Sequence, residues 1–450
     1  MLALAPEYRM RVLRYSLLMG WLVLLAACWF DFGQSRITDP ADSWGISGFV
    51  GKPVEVRGQL LAPQAYNPAP RLFWGGVVPV VVLLLIFGGH DLWRRICPLS
   101  AFSQIPRLLG WQRKVGKNGE RQLALIQPNS FIARHTLLIQ FVLFALGVTL
   151  RLTLTSANPR ALVIFTLLTL CVAICVGFLW GGKTWCHYFC PMNVVQLALS
   201  GPRGLNAGKP VPGISQSMCR KPGPSGDVSM CVACNSPCPD IDIERNYWQT
   251  LPKKTKRFVV YGYLGVVAGF IHGLYATAGS FSYGAAVWYD SDWQAIGFAP
   301  FGSFLAVPRM LGAAVLMLSW IGLAALIGFC LEAIIYQAVN KQHGDSAREI
   351  AINRSMVIST ASALLLLIFR VALPGLSWLN HELVEIVGWA ATIAIIIWAH
   401  RSWSRTSSAH NKGLFVELCK TPAPDGKMTF PNSTTSQPWT SNHITLCFSA

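Results

Sequence analysis

Charged residues are scarce in this sequence, and acidic ones are the scarcest. Only 13% of the 450 residues are Asp, Glu, Lys or Arg, whereas 53% are hydrophobic, and the mean hydropathy is +0.43. So little charge excludes an ordinary soluble domain and indicates a polytopic membrane protein. The 20 acidic residues are outnumbered by 37 Lys and Arg. These basic residues lie mostly between apolar runs, so membrane orientation explains them better than nucleic-acid binding does.

Eight apolar runs are long enough to cross a membrane. Residues 278–308 contain no Lys or Arg, whereas residues 183–257 contain ten. Because positively charged loops stay in the cytoplasm, we expect residues 31–71 outside and both termini inside, together with the loop 90–134. The sequence therefore predicts an all-α, multi-pass protein of the inner (cytoplasmic) membrane. The predicted spans are residues 12–30, 72–89, 135–154, 161–180, 258–277, 310–337, 356–373 and 384–400.

The spans divide the chain into four parts. An alternating run at residues 54–61 predicts two small strands in the first outer loop. The residues after 403 are rich in Ser, Thr, Pro and Asn without a helical period, which is typical of a disordered tail; the remainder of a lost domain is the alternative. The predicted parts are membrane helices 1–4 in residues 1–180, a cytoplasmic cysteine-rich segment in 181–257, helices 5–8 in 258–403 and the tail in 404–450.

Six of the 13 cysteines lie in residues 183–248. They form the motif CHYFCP, a lone cysteine, and the motif CVACNSPCP. Closely spaced thiolates suit a soft metal, and a cysteine followed by proline is typical of iron–sulfur ligation. Zinc usually takes two separated Cys or His pairs, and disulfides are rare in the cytoplasm, so both are less favoured alternatives. The candidate ligands on the cytoplasmic side are Cys97, Cys186, Cys190, Cys219, Cys231, Cys234 and Cys238.

Seven thiolates are enough for one complete [4Fe–4S] cluster and for a second with three cysteine ligands. In the second group His187 or solvent is the candidate fourth ligand, although a histidine at the membrane surface is the favoured interpretation. An alternative partition exchanges Cys190 or Cys238 between the sites, as ferredoxins do. In the simplest partition the complete group comprises Cys219, Cys231, Cys234 and Cys238. The second group then comprises Cys97, Cys186 and Cys190.

This arrangement resembles the membrane polyferredoxin family, whose members are accessory proteins of nitrate and nitrous-oxide respiration and of cytochrome oxidase assembly. In that family C-x-x-x-C-P motifs follow transmembrane helices on the cytoplasmic side, and ferredoxin-like motifs bind [4Fe–4S] clusters. The CHYFCP motif that contains Cys190 matches one such motif, and the WRRICP stretch around Cys97 looks like a second copy that begins with Trp. The resemblance covers about residues 70–260 and implies a small ferredoxin-like insertion in the cytoplasm.

The prediction for function is an iron–sulfur electron-transfer protein that links a membrane partner or quinone with a cytoplasmic redox protein. The basic loops favour an acidic soluble partner, such as a ferredoxin or flavodoxin, and partner membrane subunits are also expected. Two alternatives are an assembly factor that reduces a metal for a respiratory enzyme and a subunit whose cluster has a structural or sensing role in a larger complex. His272 and His381 could serve a haem or quinone, but helix packing is the favoured interpretation.

Overall fold

Long helices dominate the computed structural model. It describes residues 5–43, 54–56, 59–61, 65–116, 121–155, 158–207, 215, 217–223, 226–235, 238–278, 309–376 and 380–410. The longer helices are α1 (Glu7–Trp29), α2 (Val78–Ile96), α3 (Phe131–Leu150), α4 (Pro159–Leu179), α5 (Met192–Ser200), α6 (Ile243–Thr250), α7 (Lys254–Ala278), α8 (Arg309–His343), α9 (Ala347–Leu367) and α10 (His381–Trp403).

Short helical pieces extend several of these helices. Short α-helices occur at Ala69–Leu72, Pro98–Phe102, Ile105–Leu108 and Leu373–Gly375. Single turns of π-helix occur at Phe73–Val77, Arg151–Thr155, Trp185–Phe189 and Ile368–Ala372. The 3-10 turns are Gln34–Ile37 and Gly344–Ser346.

Among the residues that the structure describes, seven helical stretches are long and apolar enough to cross a membrane. The longest, Met310–Ala372, has 63 residues and contains two helices, α8 and α9, which pack against each other after a turn at Gly344–Ser346. Each of the eight predicted spans therefore falls on a helix. Length and composition confirm the prediction of a multi-pass membrane protein with a helical fold.

In the described part of the chain the strands form three short antiparallel hairpins. Val54–Val56 pairs with Gln59–Leu61, which confirms the two strands predicted in the first outer loop. The pairs elsewhere are Lys114–Val115 with Gln122–Leu123, and Arg220–Gly223 with Gly226–Ser229. Within residues 181–257, the described residues thus contribute the π-turn Trp185–Phe189, α5, one hairpin, α6 and the start of α7.

The second span contains a break at Gly89, where φ is 72° and ψ is −172°. Glycine adopts such a conformation without strain. The helix then resumes to Ile96, and residues 89–96 are all buried. The prediction of a loop from residue 90 is therefore wrong at its start, because these residues continue the helix and pack into the bundle.

A neighbouring segment of backbone satisfies the hydrogen bonds that this break leaves open. The N–H of Leu205 donates to the carbonyl of Ile86 at 3.0 Å, and the N–H of Asn206 donates to that of Phe87 at 2.8 Å. The two chains approach so closely that a Cβ on Gly204 would lie 2.6 Å from the Gly89 Cα. The break thus anchors the segment that follows α5 to the end of the second span.

The predicted tail begins later than the sequence suggests. Arg405 Nη1 donates to Glu244 Oε1 at 2.7 Å, and Ser407 Oγ donates to Glu349 Oε2 at 2.7 Å. His410 Nε2 lies 3.3 Å from Asp242 Oδ2 at the start of α6. The boundary at residue 404 is therefore too early, because acidic side chains bind residues 405–410. Residues 411–450 of the predicted tail lie outside the described residues.

Candidate metal centre

The predicted group of three ligands consists of buried cysteines, Cys97, Cys186 and Cys190. Cys97 directly follows α2, and Cys190 directly follows the π-turn Trp185–Phe189. Cys186 interacts electrostatically with both of the others. These cysteines from separate segments therefore lie within electrostatic range of one another. We call these three cysteines the inner sulfur group.

Packing between the segments after the second and fourth spans brings the inner sulfur group together. The short helices that follow Cys97 pack against α4. The approach is close, because a Cβ on Gly177 near the end of α4 would overlap the carbonyl of Ser103. Cys186 Sγ in turn donates to Ser100 Oγ at 3.3 Å. The predicted proximity of these two span ends is therefore observed in the residues that follow them.

The predicted complete group includes Cys219, Cys234 and Cys238, which are only partly exposed. Cys234 interacts electrostatically with both of the others. Cys231 is exposed, and its sulfur accepts a hydrogen bond from the N–H of Ala233 at 3.3 Å. We call these four cysteines the outer sulfur group, in which Cys231 is the solvent-facing member.

The hairpin Arg220–Gly223 with Gly226–Ser229 places two of these cysteines at its open end. Its last pair joins Arg220 to Ser229. One residue further, the N–H of Met230 donates to the carbonyl of Cys219 at 2.8 Å. Cys231 follows directly, so the hairpin brings Cys219 and Cys231 to neighbouring strand ends although 11 residues separate them in the sequence.

Burial strongly affects the protonation of these thiols. Burial raises the pKa of Cys234 to about 12, and it raises the pKa of Cys190, Cys219 and Cys238 above the ordinary value. Without a bound cation these thiols are therefore neutral at pH 7. A metal that binds here must displace their protons, so its affinity rises with pH.

A buried carboxylate, Asp240, interacts with the cysteines Cys219, Cys234 and Cys238 of the outer sulfur group. It forms an ion pair with Arg94, and its Oδ2 lies 3.3 Å from Lys183 Nζ. His90 Nε2 is 3.8 Å from Oδ1, and His187 Nε2 is 3.6 Å from Oδ2. Burial opposes ionisation, but Arg94 and Lys183 outweigh it and hold the pKa of Asp240 well below its usual range. Asp240 is therefore an ionised hub for four basic side chains.

Two segments of the chain end in Cys-Pro, residues 90–98 and 183–191, and we call them the C-P segments. The four basic partners of Asp240 occupy equivalent positions in these segments. His90 and Lys183 each stand seven residues before the cysteine that precedes proline, and Arg94 and His187 each stand three residues before it. Positions four apart share one helix face, so each segment presents the same face to Asp240. The sequence interpretation named only His187, as a candidate ligand, and missed His90, Arg94 and Lys183, although aligning the two C-P segments would have revealed the matching basic positions.

The environment of His187 does not suit a fourth ligand of the inner sulfur group. Arg94 Nη1 lies 3.3 Å from His187 Nδ1. Because Arg94 can only donate, Nδ1 accepts and Nε2 carries the proton. Nε2 faces Asp240 and lies 4.0 Å from Cys238 Sγ, which belongs to the outer group. Burial lowers the pKa of His187 to about 3, so the ring is neutral.

His187, Cys238 and Asp240 also offer three ligand atoms within 4.8 Å of one another, an arrangement that could hold a single metal ion. The charge around Asp240 opposes that use. Arg94 and Lys183 already occupy its carboxylate, and both would repel a divalent cation. The two sulfur groups are therefore the better candidates for the metal ligands.

Anionic ligands would balance the charge of this region. Arg94 and Lys183 are buried cations, with side-chain exposures of 3% and 0%, and they share the one carboxylate of Asp240. Buried charge is costly unless it is compensated. Thiolates and the sulfides of an iron–sulfur cluster would supply that negative charge. The donor set and the charge of this region therefore fit an iron–sulfur cluster.

His272 and His381, the candidate residues for a haem or quinone, have separate surroundings. Trp320 Nε1 donates to His272 Nδ1 at 3.0 Å, so the His272 proton lies on Nε2, which then has no lone pair for a metal. The His381 side chain is 84% exposed and lies 3.7 Å from Glu385. These contacts assign His272 to helix packing.

Comparisons with family models, with curated proteins and with solved structures give no match for this chain.

Proposed function

We propose that this chain is a membrane-bound iron–sulfur electron-transfer protein. The observation that carries the proposal is the convergence of two sulfur groups on a buried region with excess positive charge. Six of the seven predicted cysteines interact electrostatically within these groups, and Arg94 and Lys183 each interact with a cysteine of both groups. An iron–sulfur cluster held by such cysteines supplies reversible one-electron transfer.

The side chains around the two groups give them different access to solvent. Trp185 and Leu99 pack against Cys186 and Cys190, so water is kept from the inner group. In the outer group Cys231 reaches the surface. A soluble redox partner would therefore exchange electrons near Cys231, whereas a membrane partner or quinone would exchange them through the bundle.

Exposed basic residues support an acidic soluble partner. A docking surface of this kind speeds the encounter with a negatively charged protein, especially at low salt. By the distribution of Lys and Arg, this surface faces the cytoplasm and both termini lie inside. Reporter fusions after Gly279 and Arg405 test that orientation, and an external signal at Arg405 would contradict it. The exposed basic residues of this surface include Lys114, Arg121, Lys253 and Lys254.

Iron and sulfide analysis of anaerobically purified protein, combined with EPR, tests the proposal. We expect about eight irons per chain if both groups bind a [4Fe–4S] cluster. Cys234→Ser should lower the content to about four, because it removes a ligand of the outer group. Cys171→Ser is the matched control, because Cys171 is exposed on a span and lies in neither group. Zinc in place of iron, or equal iron in both variants, would contradict the proposal.

Removing a cysteine of the inner group tests its role separately. Cys97→Ala should leave about four irons per chain and the EPR signal of the outer group. A wild-type content near four irons that does not change in this variant would show that the inner group binds no cluster. The outer group alone would then carry the proposed function.

A further inference from the structure

Two buried cations lie between the sulfur groups. Arg94 interacts electrostatically with Cys186 of the inner group and with Cys238 of the outer group. Lys183 interacts with Cys186 as well and with Cys219 of the outer group. Each cation therefore lies within electrostatic range of both groups. The side chains are almost inaccessible to water, so solvent screens these interactions weakly.

Hydrogen bonds fix the position of Arg94. Its Nε donates to Gln196 Oε1 at 3.1 Å, and its Nη2 donates to Asn193 Oδ1 at 2.7 Å. Its Nη1 forms the ion pair with Asp240. The guanidinium is thus held on three sides by residues that are not predicted ligands.

Asp240 also fixes Lys183 and is itself held in place. Ser217 Oγ donates to Asp240 Oδ2 at 2.9 Å, on the same oxygen that lies 3.3 Å from Lys183 Nζ. Asp240 follows Cys238 by two residues, so one cysteine of the outer sulfur group and the carboxylate that binds both cations belong to one short turn. A displacement of this turn would therefore move the cations relative to both groups.

From this geometry we infer that Asp240 positions Arg94 and Lys183 as a cationic bridge, which raises the reduction potentials of both sulfur-ligated centres and couples them. The inference rests on the proposed iron–sulfur function. Reduction adds one electron to a centre, and a nearby fixed cation stabilises the added negative charge. Because the two centres share the same cations, reduction of one consumes part of the stabilisation available to the other. Asp240 is a positioning residue, because it acts through the two cations.

Redox titration of the purified protein, followed by EPR, measures this effect directly. In Lys183→Met the ratio of reduced to oxidised centre at a fixed potential should fall at least tenfold for both centres, a shift of about 59 mV for one electron. Lys221→Met is the matched control, because this lysine is exposed and stands two residues after Cys219. We expect that variant to stay within about twofold of wild type, because solvent screens an exposed charge.

For a second variant we expect the reduction potentials to shift in the opposite direction. Asp240→Asn removes the negative charge beside the same cations, but its amide oxygen can still accept hydrogen bonds that hold Arg94 and Lys183 in place, so both centres should become easier to reduce. A structural disturbance alone would not give opposite shifts in Lys183→Met and Asp240→Asn. Unchanged potentials in iron-loaded Lys183→Met, or a shift in only one centre, would overturn the bridge. Loss of iron from both variants would overturn it too, because neither residue would then act on potential alone. A wild-type protein without iron would instead refute the proposed function.

Discussion

Gly182→Ala should disrupt the outer sulfur group selectively. Gly182 has a φ of +71°, and a Cβ added there would lie 2.6 Å from the Cβ and 2.8 Å from the Sγ of Cys234. Hydrogen bonds hold the backbone on both sides, because Gln104 Nε2 donates to the carbonyl of Gly182 and the N–H of Gly181 donates to that of Ala124. The loop therefore cannot move away, and Cys234 must shift.

The expected loss of stability in Gly182→Ala has two parts. A positive φ at a residue other than glycine costs about 1–2 kcal/mol, and overpacking a dense site costs a further 1–3 kcal/mol or so. Gly110→Ala separates them, because Gly110 also has a φ of +71° but nothing lies within 4 Å of an added Cβ. Both variants should therefore melt at a lower temperature than wild type, and Gly182→Ala should melt lowest.

Iron analysis of the same two variants isolates the effect on the site. We expect Gly110→Ala to retain the full iron content and Gly182→Ala to lose about four irons, the content of one cluster. The EPR signal that survives should be the one that disappears in Cys97→Ala. Equal iron in the two glycine variants would refute the assignment of Cys234 to a tightly packed ligand position.

Two further predictions concern stability. Burial lowers the pKa of His410, but hydrogen bonds to Asp242 and Glu244 outweigh burial and raise it to about 9. This stabilisation is about 1 kcal/mol after allowance for partial exposure. It is complete below pH 6.5 and disappears as the pH rises through 9. The melting temperatures of wild type and His410→Gln should therefore differ at pH 6 and converge at pH 10. Glu332→Gln breaks a buried ion pair with Arg257 and should cost about 3–5 kcal/mol in unfolding experiments, whereas the exposed-site control Glu385→Gln should change little.

The membrane helices were predictable because their signal is local. An apolar run of about 20 residues can satisfy its backbone hydrogen bonds within a membrane as a helix, whatever its neighbours are. The break at Gly89 was less predictable, since it depends on the segment around Gly204 that packs against it. Hydropathy alone places the end of the second apolar run at Gly89, where the backbone breaks. It does not show that the helix resumes after this break and continues to Ile96.

The cluster of basic residues around Asp240 was not predicted, because its contacts join distant parts of the chain. Arg94 and Asp240 are separated by 146 positions, and Arg94 and Gln196 by 102. A basic residue beside a membrane span has an ordinary explanation in the positive-inside rule, so its charge alone does not indicate burial. The cysteines were recognisable because their spacing is typical of metal ligation, whereas the basic residues around Asp240 form a pattern only when the two C-P segments are aligned.

The two C-P segments also predict what the inner sulfur group lacks. Trp93 and Cys186 each stand four residues before the cysteine that precedes proline, so they occupy equivalent positions on their helix faces. Since Cys186 interacts with both Cys97 and Cys190, a thiol at position 93 should approach the same two residues. We therefore expect Trp93→Cys to supply a fourth thiolate and to slow the loss of iron from the inner group to a chelator.

Trp93→Ser separates the effect of this thiol from the effect of the cavity. Trp93 is 8% exposed, so either replacement removes a large buried side chain and should cost about 3–5 kcal/mol. The two variants should thus melt at similar temperatures. Only Trp93→Cys should retain inner-group iron longer than wild type, because serine is a poor ligand for iron in such a site. Equal rates of iron loss from the Cys and Ser variants would mean that position 93 does not face the inner sulfur group, and that the equivalence of the two segments ends at the residues around Asp240.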